Sequence, residues 1–357
     1  MTGEGGGMAH FVFDVHPPFR LDLTIWALRR RPHNSVDAWD GTTYTRTLLA
    51  GRRTLLVAVR QEPGRKAGRE QLGVEVRWRG EAPSEAATAE VRHTLERMLG
   101  LGADLTGFYE LAAADGRIAG LVRRFLGVRP PRFASIFEAL VNAVACQQLS
   151  LTVGIHLLNR LAARYGPQVP FRGAPPGFPT PERLAAADPS DLRRIGFSMA
   201  KARTLTEASG RAAAGVLDLE GLEQAGDEQA AATLVGLPGI GRWSAEYVLL
   251  RGLGRTGILP GDDVGARNNL RRRFQLSASA GYDEVMALAK DWWPYGGLVY
   301  FHLLLGALAD AGYLEAAAPE PRRRSSRRPP RRTSVPDSLP ADRRTRRTRE
   351  AGALDGG

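Results

Sequence analysis

The run Leu237-Pro238-Gly239-Ile240-Gly241 constrains this chain more than any other five residues in it. It lies between two stretches with helical apolar spacing. Pro238 has no amide hydrogen to give and ends the first helix. Gly239 and Gly241 permit tight turning and let another molecule come close to the backbone. The second helix starts near Arg242, so its unpaired amides face outward at the turn. Such a terminus holds a phosphate without side-chain charge. Ile240 packs between the two helices and fixes their angle. The same residues also suit a plain αα-corner that happens to turn on glycine. Both readings require two helices meeting at a short hairpin.

The wider chain sorts by period. Leu21, Leu23 and Ile25 interleave with Asp22 and Thr24. Val74, Val76 and Trp78 interleave with Glu75, Arg77 and Arg79, and Thr54 to Val59 is a short apolar run. These read as strands of a sheet with one solvated face. From Ser84 the period changes, and Val91, Leu95, Met98 and Leu99 follow helical spacing. After Gly100 the strand signal disappears. Ser135-Ile136-Phe137-Glu138 reads as a capping box opening an apolar-striped helix. Further helices are expected over Thr152 to Tyr165, from Pro181, from Pro189, and over Asp227 to Val235, Arg242 to Leu253 and Leu298 to Leu308. The expected fold class is an α+β N-terminal domain with an antiparallel sheet (1–100), then an all-α body (101–318).

The charge is uneven. The 357 residues hold 49 Lys+Arg against 38 Asp+Glu, a formal charge of +11. The stretch 321–357 alone carries 12 Arg and four acids, a net of +8, which leaves +3 for residues 1–320. A disordered Arg/Pro-rich tail over 319–357 is expected, either a phosphate-binding arm or a solvated extension. The charge balance is therefore weak evidence about the folded part. Cys146 is the one cysteine, which excludes a disulfide framework and any Cys-ligated zinc or iron–sulfur site. It is expected to be a small buried apolar residue. The histidines fall in no metal-ligand spacing, so no catalytic metal is expected. No run approaches the length of a membrane span, and the Gly-rich start has no signal-peptide pattern. A cytoplasmic, nucleoid-associated monomer with no membrane contact is the expectation.

The hairpin does not stand alone. It continues as Arg242-Trp243-Ser244-Ala245-Glu246-Tyr247, then Leu250-Arg251-Gly252, then Leu259-Pro260-Gly261-Asp262-Asp263. With Ala143 to Ser150, Phe178 to Leu184 and Trp293-Pro294-Tyr295 ahead of His302, this order resembles the helix-hairpin-helix DNA glycosylases. Within them it is most similar to the DNA-3-methyladenine glycosylase II family. The resemblance runs from about Pro18 to Leu314, is weakest in the N-terminal third, and leaves out the tail. It implies a helix-hairpin-helix glycosylase body. It also implies base excision repair: hydrolysis of the N-glycosidic bond of alkylated purines in duplex DNA.

The resemblance makes Asp263, 22 residues after Gly241, the catalytic carboxylate. N-glycosidic cleavage builds positive charge on the sugar, which a carboxylate stabilises, or it activates the attacking water. The bland role for Asp263 is N-cap of the following helix. Both roles can hold at once. Bifunctional members of this superfamily place a lysine two residues after the last hairpin glycine; here that residue is Trp243. A monofunctional enzyme with no β-lyase step is implied.

By the same resemblance Pro238, Gly239, Ile240 and Gly241 bind the DNA backbone. Trp243, Tyr247 and Tyr295 line the base pocket, with Trp26 a looser candidate; ordinary core packing is the alternative for each. Val264 follows the acid where the best-known member type carries Tyr, which leaves the base range open. Gln148 or Leu149 would fill the gap left by an extruded nucleotide, against helix-end packing as the alternative. No cofactor is implied beyond a monovalent cation that the hairpin carbonyls and a phosphate can share. The other readings are a same-fold glycosylase for deaminated or other damaged bases, and a catalytically silent hairpin DNA-binding protein.

Overall fold

The computed structural model describes residues 5–63, 70–277 and 279–314. The basic stretch from 319 onward, and the expectation of disorder attached to it, lie outside these residues. Five strands form one antiparallel sheet: β1 (Gly6–Val15), β2 (Ala38–Trp39), β3 (Thr43–Ala50), β4 (Arg53–Pro63) and β5 (Glu70–Arg79), in the order β1-β5-β4-β3-β2. β3 and β4 join through Gly51-Arg52, with Gly51 at φ +55, so the turn suits the twist of its strands. Register pairs Val57 with Val76 and Val59 with Val74, which stacks one apolar face. Phe13 and Val15 of β1 extend it. β1 was hidden in the Gly-rich start. Gly7 sits in it because a Cβ there would collide with the Trp78 indole across the strand pair.

The segment expected as a strand at Leu21–Ile25 is a helix, Leu21–Arg29. Its residues are buried on two sides. Leu21, Ile25 and Leu28 join the core under the sheet, while Leu23 and Ala27 join the core of the helical body. A helix with two apolar faces mimics alternation over five residues. That is why the period misled.

Beyond the sheet the chain is helical. Ser84 caps Glu85–Met98, whose Val91, Leu95 and Met98 lie on the sheet core. Ser135 caps Ile136–Cys146 by accepting the Glu138 amide at 3.0 Å. Glu138 does not return that bond, as a capping box would require. Its carboxylate turns inward to Arg46 of β3 at 2.5 Å, and Arg46 also takes Asp37 at 2.5 Å. All three are at most 2% exposed. Burial works against the Arg46 charge, but the two carboxylates hold its pKa well above the ordinary value. This bridge joins sheet to helices, and the apolar core is continuous across the expected 100/101 boundary. The expected helices at Pro181, Pro189 and Asp227 are present, as is one at Gly296–Asp310. Thr106–Ala114, Gly116–Arg124, Met199–Ala213 and Tyr282–Ala289 are additional. Among the described residues no helix is long and apolar enough to cross a membrane.

Candidate active site

Asp227–Val235 and Arg242–Val248 flank the hairpin. Gly239 has φ +81, a conformation a side chain resists, and a Cβ there would collide with Thr204. Gly241 has an extended backbone that any residue adopts, and nothing lies within 4 Å of its Cβ position. A side chain there would stand in open space. Ile240 is 5% exposed and packs in the core, while Pro238, Gly239 and Gly241 are exposed. Gly241 caps the second helix with no side-chain bond, and among the described residues the amides of Arg242, Trp243 and Ser244 take no acceptor outside it. The helix passes into a π-turn, Leu249–Leu253, which closes on Gly254 at φ +76.

Asp263 is the N-cap of Val264–Phe274: Oδ1 accepts the Ala266 amide at 2.8 Å. Oδ2 points the other way. It accepts Trp243 Nε1 at 3.3 Å and the Tyr300 hydroxyl at 3.2 Å. Burial first, and the Asp263 charge second, push Tyr300 well above the ordinary phenol range. Tyr300 thus keeps its proton and donates. The carboxylate is held from three directions and remains half-buried. Its neighbour Asp262 is used up elsewhere. It pairs with Arg242 at 2.7 Å, whose guanidinium lies 3.5 Å from the centre of the Tyr282 ring. Tyr282 in turn donates to Glu246 at 2.6 Å.

Trp243 and Tyr247 share one helix face, with ring centres 5.4 Å apart and 32° between planes. Behind them the wall is charged. Arg30 donates through Nη1 to the Tyr247 hydroxyl at 2.6 Å and through Nη2 to Asn142 Oδ1 at 2.6 Å. Arg251, fully buried, donates to the last carbonyls of the Leu21–Arg29 helix, Ala27 at 3.0 Å and Leu28 at 3.2 Å. Burial raises the pKa of Tyr247, so its hydroxyl is neutral. Burial likewise raises that of Cys146, a thiol kept protonated.

Gln148 and Leu149 sit in the turn between Ile136–Cys146 and Leu151–Tyr165, both exposed. Gln148 adopts φ +52, a conformation that costs a non-glycine residue about 1 kcal/mol. Gln147, not singled out from sequence, ties this turn to the hairpin. Its Nε2 donates to the Gly239 carbonyl and to Ser244 Oγ, each at 2.8 Å. Lys201 braces the same turn by donating to the carbonyls of Ala145 at 3.1 Å and Gln147 at 2.6 Å.

Two expected pocket residues lie elsewhere. Tyr295 packs on Phe108, ring centres 5.9 Å apart, and lines a cleft of about 600 Å³ with Arg132, Thr256 and Leu298. Trp26 stacks on Tyr313 at 6.2 Å and lines a separate cleft of about 510 Å³. The tyrosine that reaches the acid is Tyr300, one helical turn and more past Tyr295 on a helix that reads as uniformly apolar. Its only signal is that a buried hydroxyl needs a partner. Arg30 had none, being a charged residue in a run of three arginines.

Residues 141–295 match the family model described as HhH-GPD superfamily base excision DNA repair protein. DNA-3-methyladenine glycosylase 2 of Escherichia coli is 28% identical over 82% of this chain and 96% of its own length. DNA-3-methyladenine glycosylase 1 of Schizosaccharomyces pombe is 30% identical over 45% of this chain and 67% of its own. Among solved structures, the 3-methyladenine DNA-glycosylase from Archaeoglobus fulgidus superposes with a TM-score of 0.72 at 25% identity, covering 83% of this chain and 97% of that one. The hairpin, the acid that follows it and these likenesses agree: the chain belongs to the HhH-GPD superfamily of base excision DNA repair proteins.

Proposed function

We propose that this protein is a monofunctional DNA glycosylase that hydrolyses the N-glycosidic bond of alkylated purines, of the 3-methyladenine type, in duplex DNA. The observation that carries the reading is the Asp263 carboxylate, fixed by its own helix and by Trp243 and Tyr300 beside an exposed hairpin. The hairpin amides take a phosphate and set the duplex in register. The damaged nucleotide leaves the stack, and Gln148 or Leu149 fills the gap. The base meets the half-buried indole of Trp243, with Tyr247 packed behind it in the core. Asp263 then stabilises positive charge on the sugar while water attacks the anomeric carbon. An alkylated base is already cationic and needs little acid assistance to depart.

The absence of a lyase step rests on the lysines. Trp243 stands at the position where a nucleophilic amine would follow the hairpin, and an indole forms no Schiff base. Lys201 is the lysine braced beside the hairpin, and its ammonium is committed to two carbonyls. Burial lowers its pKa, so it is the residue to watch. The relatives support DNA as partner, and a monomer suffices for the reading. Hairpin carbonyls also fit a monovalent cation: Leu237 and Gly239 each accept one bond and keep a second lone pair. No step requires one.

The test is Asp263→Asn in a single-turnover assay on duplexes containing 3-methyladenine, 7-methylguanine or hypoxanthine. Asparagine keeps the cap and loses the charge. Base release should fall by about a thousandfold while abasic-DNA binding persists. Substantial residual release would defeat the assignment. Borohydride should trap no protein–DNA adduct with the unaltered chain; a strong trapped band would show an amine at work and point to Lys201.

A further inference from the structure

From the bonds between two exposed turns, we infer that Gln147 is a positioning residue that couples the hairpin to the plug at Gln148-Leu149. Docking of the hairpin on a phosphate then helps to extrude the damaged nucleotide, a role that rests on the base-release reading and deepens it. Gln147 ends the helix Ile136–Cys146 and is half-buried, while Gln148 and Leu149 beside it are exposed. Ending that helix uses only its backbone amide, which donates to the Ala143 carbonyl at 3.1 Å. The side chain does something else. Nε2 has two hydrogens and gives one to the Gly239 carbonyl and one to Ser244 Oγ, each at 2.8 Å. One acceptor lies in the hairpin turn and the other in the helix that follows, so a single amide spans both. Among the described residues no other hydrogen bond joins 147–150 to 237–244.

The helix Met199–Ala213 backs both ends of this link. Lys201 Nζ donates to the Gln147 carbonyl at 2.6 Å and to the Ala145 carbonyl at 3.1 Å. Thr204, one turn further along, stands where a Cβ on Gly239 would have to go. The plug turn is therefore gripped through its backbone on one side and through the Gln147 side chain on the other. Between the two grips Gln148 is held at φ +52, a left-handed conformation that a glutamine resists. That hold bears on what a plug must do. Extruding a nucleotide breaks its stacking and pairing, and a residue entering the gap offsets part of the cost. The closing stack pushes back on the side chain that enters. A plug on a free turn yields to that push. A plug tied to the hairpin yields only if the hairpin also leaves its phosphate. Ser244 is buried, so water does not compete for its bond to Gln147. The link should thus matter in proportion to how hard the lesion is to extrude.

The experiment measures single-turnover release at saturating enzyme from two duplexes. In one the damaged base faces its original partner, and in the other it faces a tetrahydrofuran abasic residue. The second duplex has no pairing to break, so extrusion is easier. The base is whichever of 3-methyladenine, 7-methylguanine and hypoxanthine the unaltered chain releases fastest. The full chain is set against Gln147→Met, which fills similar space and has no donor. Release from the paired duplex should fall by about thirtyfold, the order expected for two lost hydrogen bonds, and from the unpaired one by about threefold. The unpaired-to-paired rate ratio then rises about tenfold, or ~1.4 kcal/mol. Equal slowing on both duplexes would overturn the inference, because a merely structural glutamine moves both alike; so would no slowing on either. Should Gln147→Met not fold, Ser244→Ala decides instead. It removes one of the two acceptors and should raise the ratio about threefold, while an unshifted ratio overturns the inference. If the unaltered chain releases none of the three bases, the glycosylase reading falls and takes this one with it. If it releases one with a ratio indifferent to residue 147, only this one falls.

Discussion

Two polar clusters in this molecule use carboxylates to opposite ends. Around Arg46 the charges face each other: both terminal nitrogens take a carboxylate, and Tyr44 and Asn34 add bonds to Asp37. Nothing from solvent reaches them. Around Asp263 the carboxylate has no cationic partner. It accepts from an amide, an indole and a phenol, all neutral, and stays half-buried. One guanidinium shared by two buried carboxylates is locked in place and becomes structure. A charge held by neutral donors is oriented and still available to a cation that forms later. On the proposed reading, this difference marks Asp263 as the carboxylate available for chemistry.

The comparison breaks most directly at the two acids themselves. Asp263→Asn is expected to abolish turnover and leave folding almost untouched, since the amide still caps the helix. Glu138→Ala should do the reverse. It leaves Arg46 paired with Asp37 alone and its Nη2 without an acceptor in the core, a change that costs about 1–3 kcal/mol. Urea unfolding should show that loss, while the fraction still folded releases base at close to the original rate. An Asp263→Asn protein that unfolds easily, or a Glu138→Ala protein that folds well and is inactive, would exchange the two roles.

The same contrast explains what was legible in the sequence. The hairpin and Asp263 are local: proline, two glycines and a capping acid act within their own turn, so their types reveal them. Glu138 reads as a capping-box residue because it sits three residues after Ser135, but the partner that claims it, Arg46, lies 92 residues away. Tyr300 reaches Asp263 across 37 residues and Arg30 reaches Tyr247 across 217. No local pattern encodes a partner that distant. Tyr295 belongs to the Trp293-Pro294-Tyr295 motif that carries the resemblance, but it packs toward Phe108, and the helix it caps carries Tyr300 to the acid. Leu21–Arg29 failed for another reason. One helix serving two cores has no polar face to betray its period.

The hairpin offers a finer cut. Gly239→Ala would violate both the +81° backbone and the space of Thr204, so it should cost stability as well as binding. Gly241→Ala violates neither. Its added methyl meets only what docks from outside. Melting should be unchanged while affinity for lesion-bearing duplex falls by about tenfold, or ~1.4 kcal/mol, with slower base release because the duplex is misplaced against Asp263. Unchanged binding by Gly241→Ala would remove the hairpin from the DNA interface.

The smallest effect expected is at the neighbour of the proposed catalytic acid, and it is the sharpest test of what distinguishes the two. Asp262 and Asp263 are adjacent, equally charged and both half-buried. Asp262 accepts two bonds from Arg242, whose side chain is 56% exposed, and solvent screens that pair. Asp262→Asn removes one charge from an exposed ion pair, worth about 0–1 kcal/mol. Arg242 keeps its place over the Tyr282 ring, so the start of the hairpin's second helix should hold. Stability should move within that range and base release by no more than about threefold. Raising the salt should erase most of the difference between the two proteins, because salt screens an exposed pair of this kind. A loss comparable to Asp263→Asn would mean that charge near the hairpin matters and orientation does not. A small, salt-sensitive loss would leave the contacts to Trp243 and Tyr300 as the feature that makes one of two adjacent aspartates the reacting one.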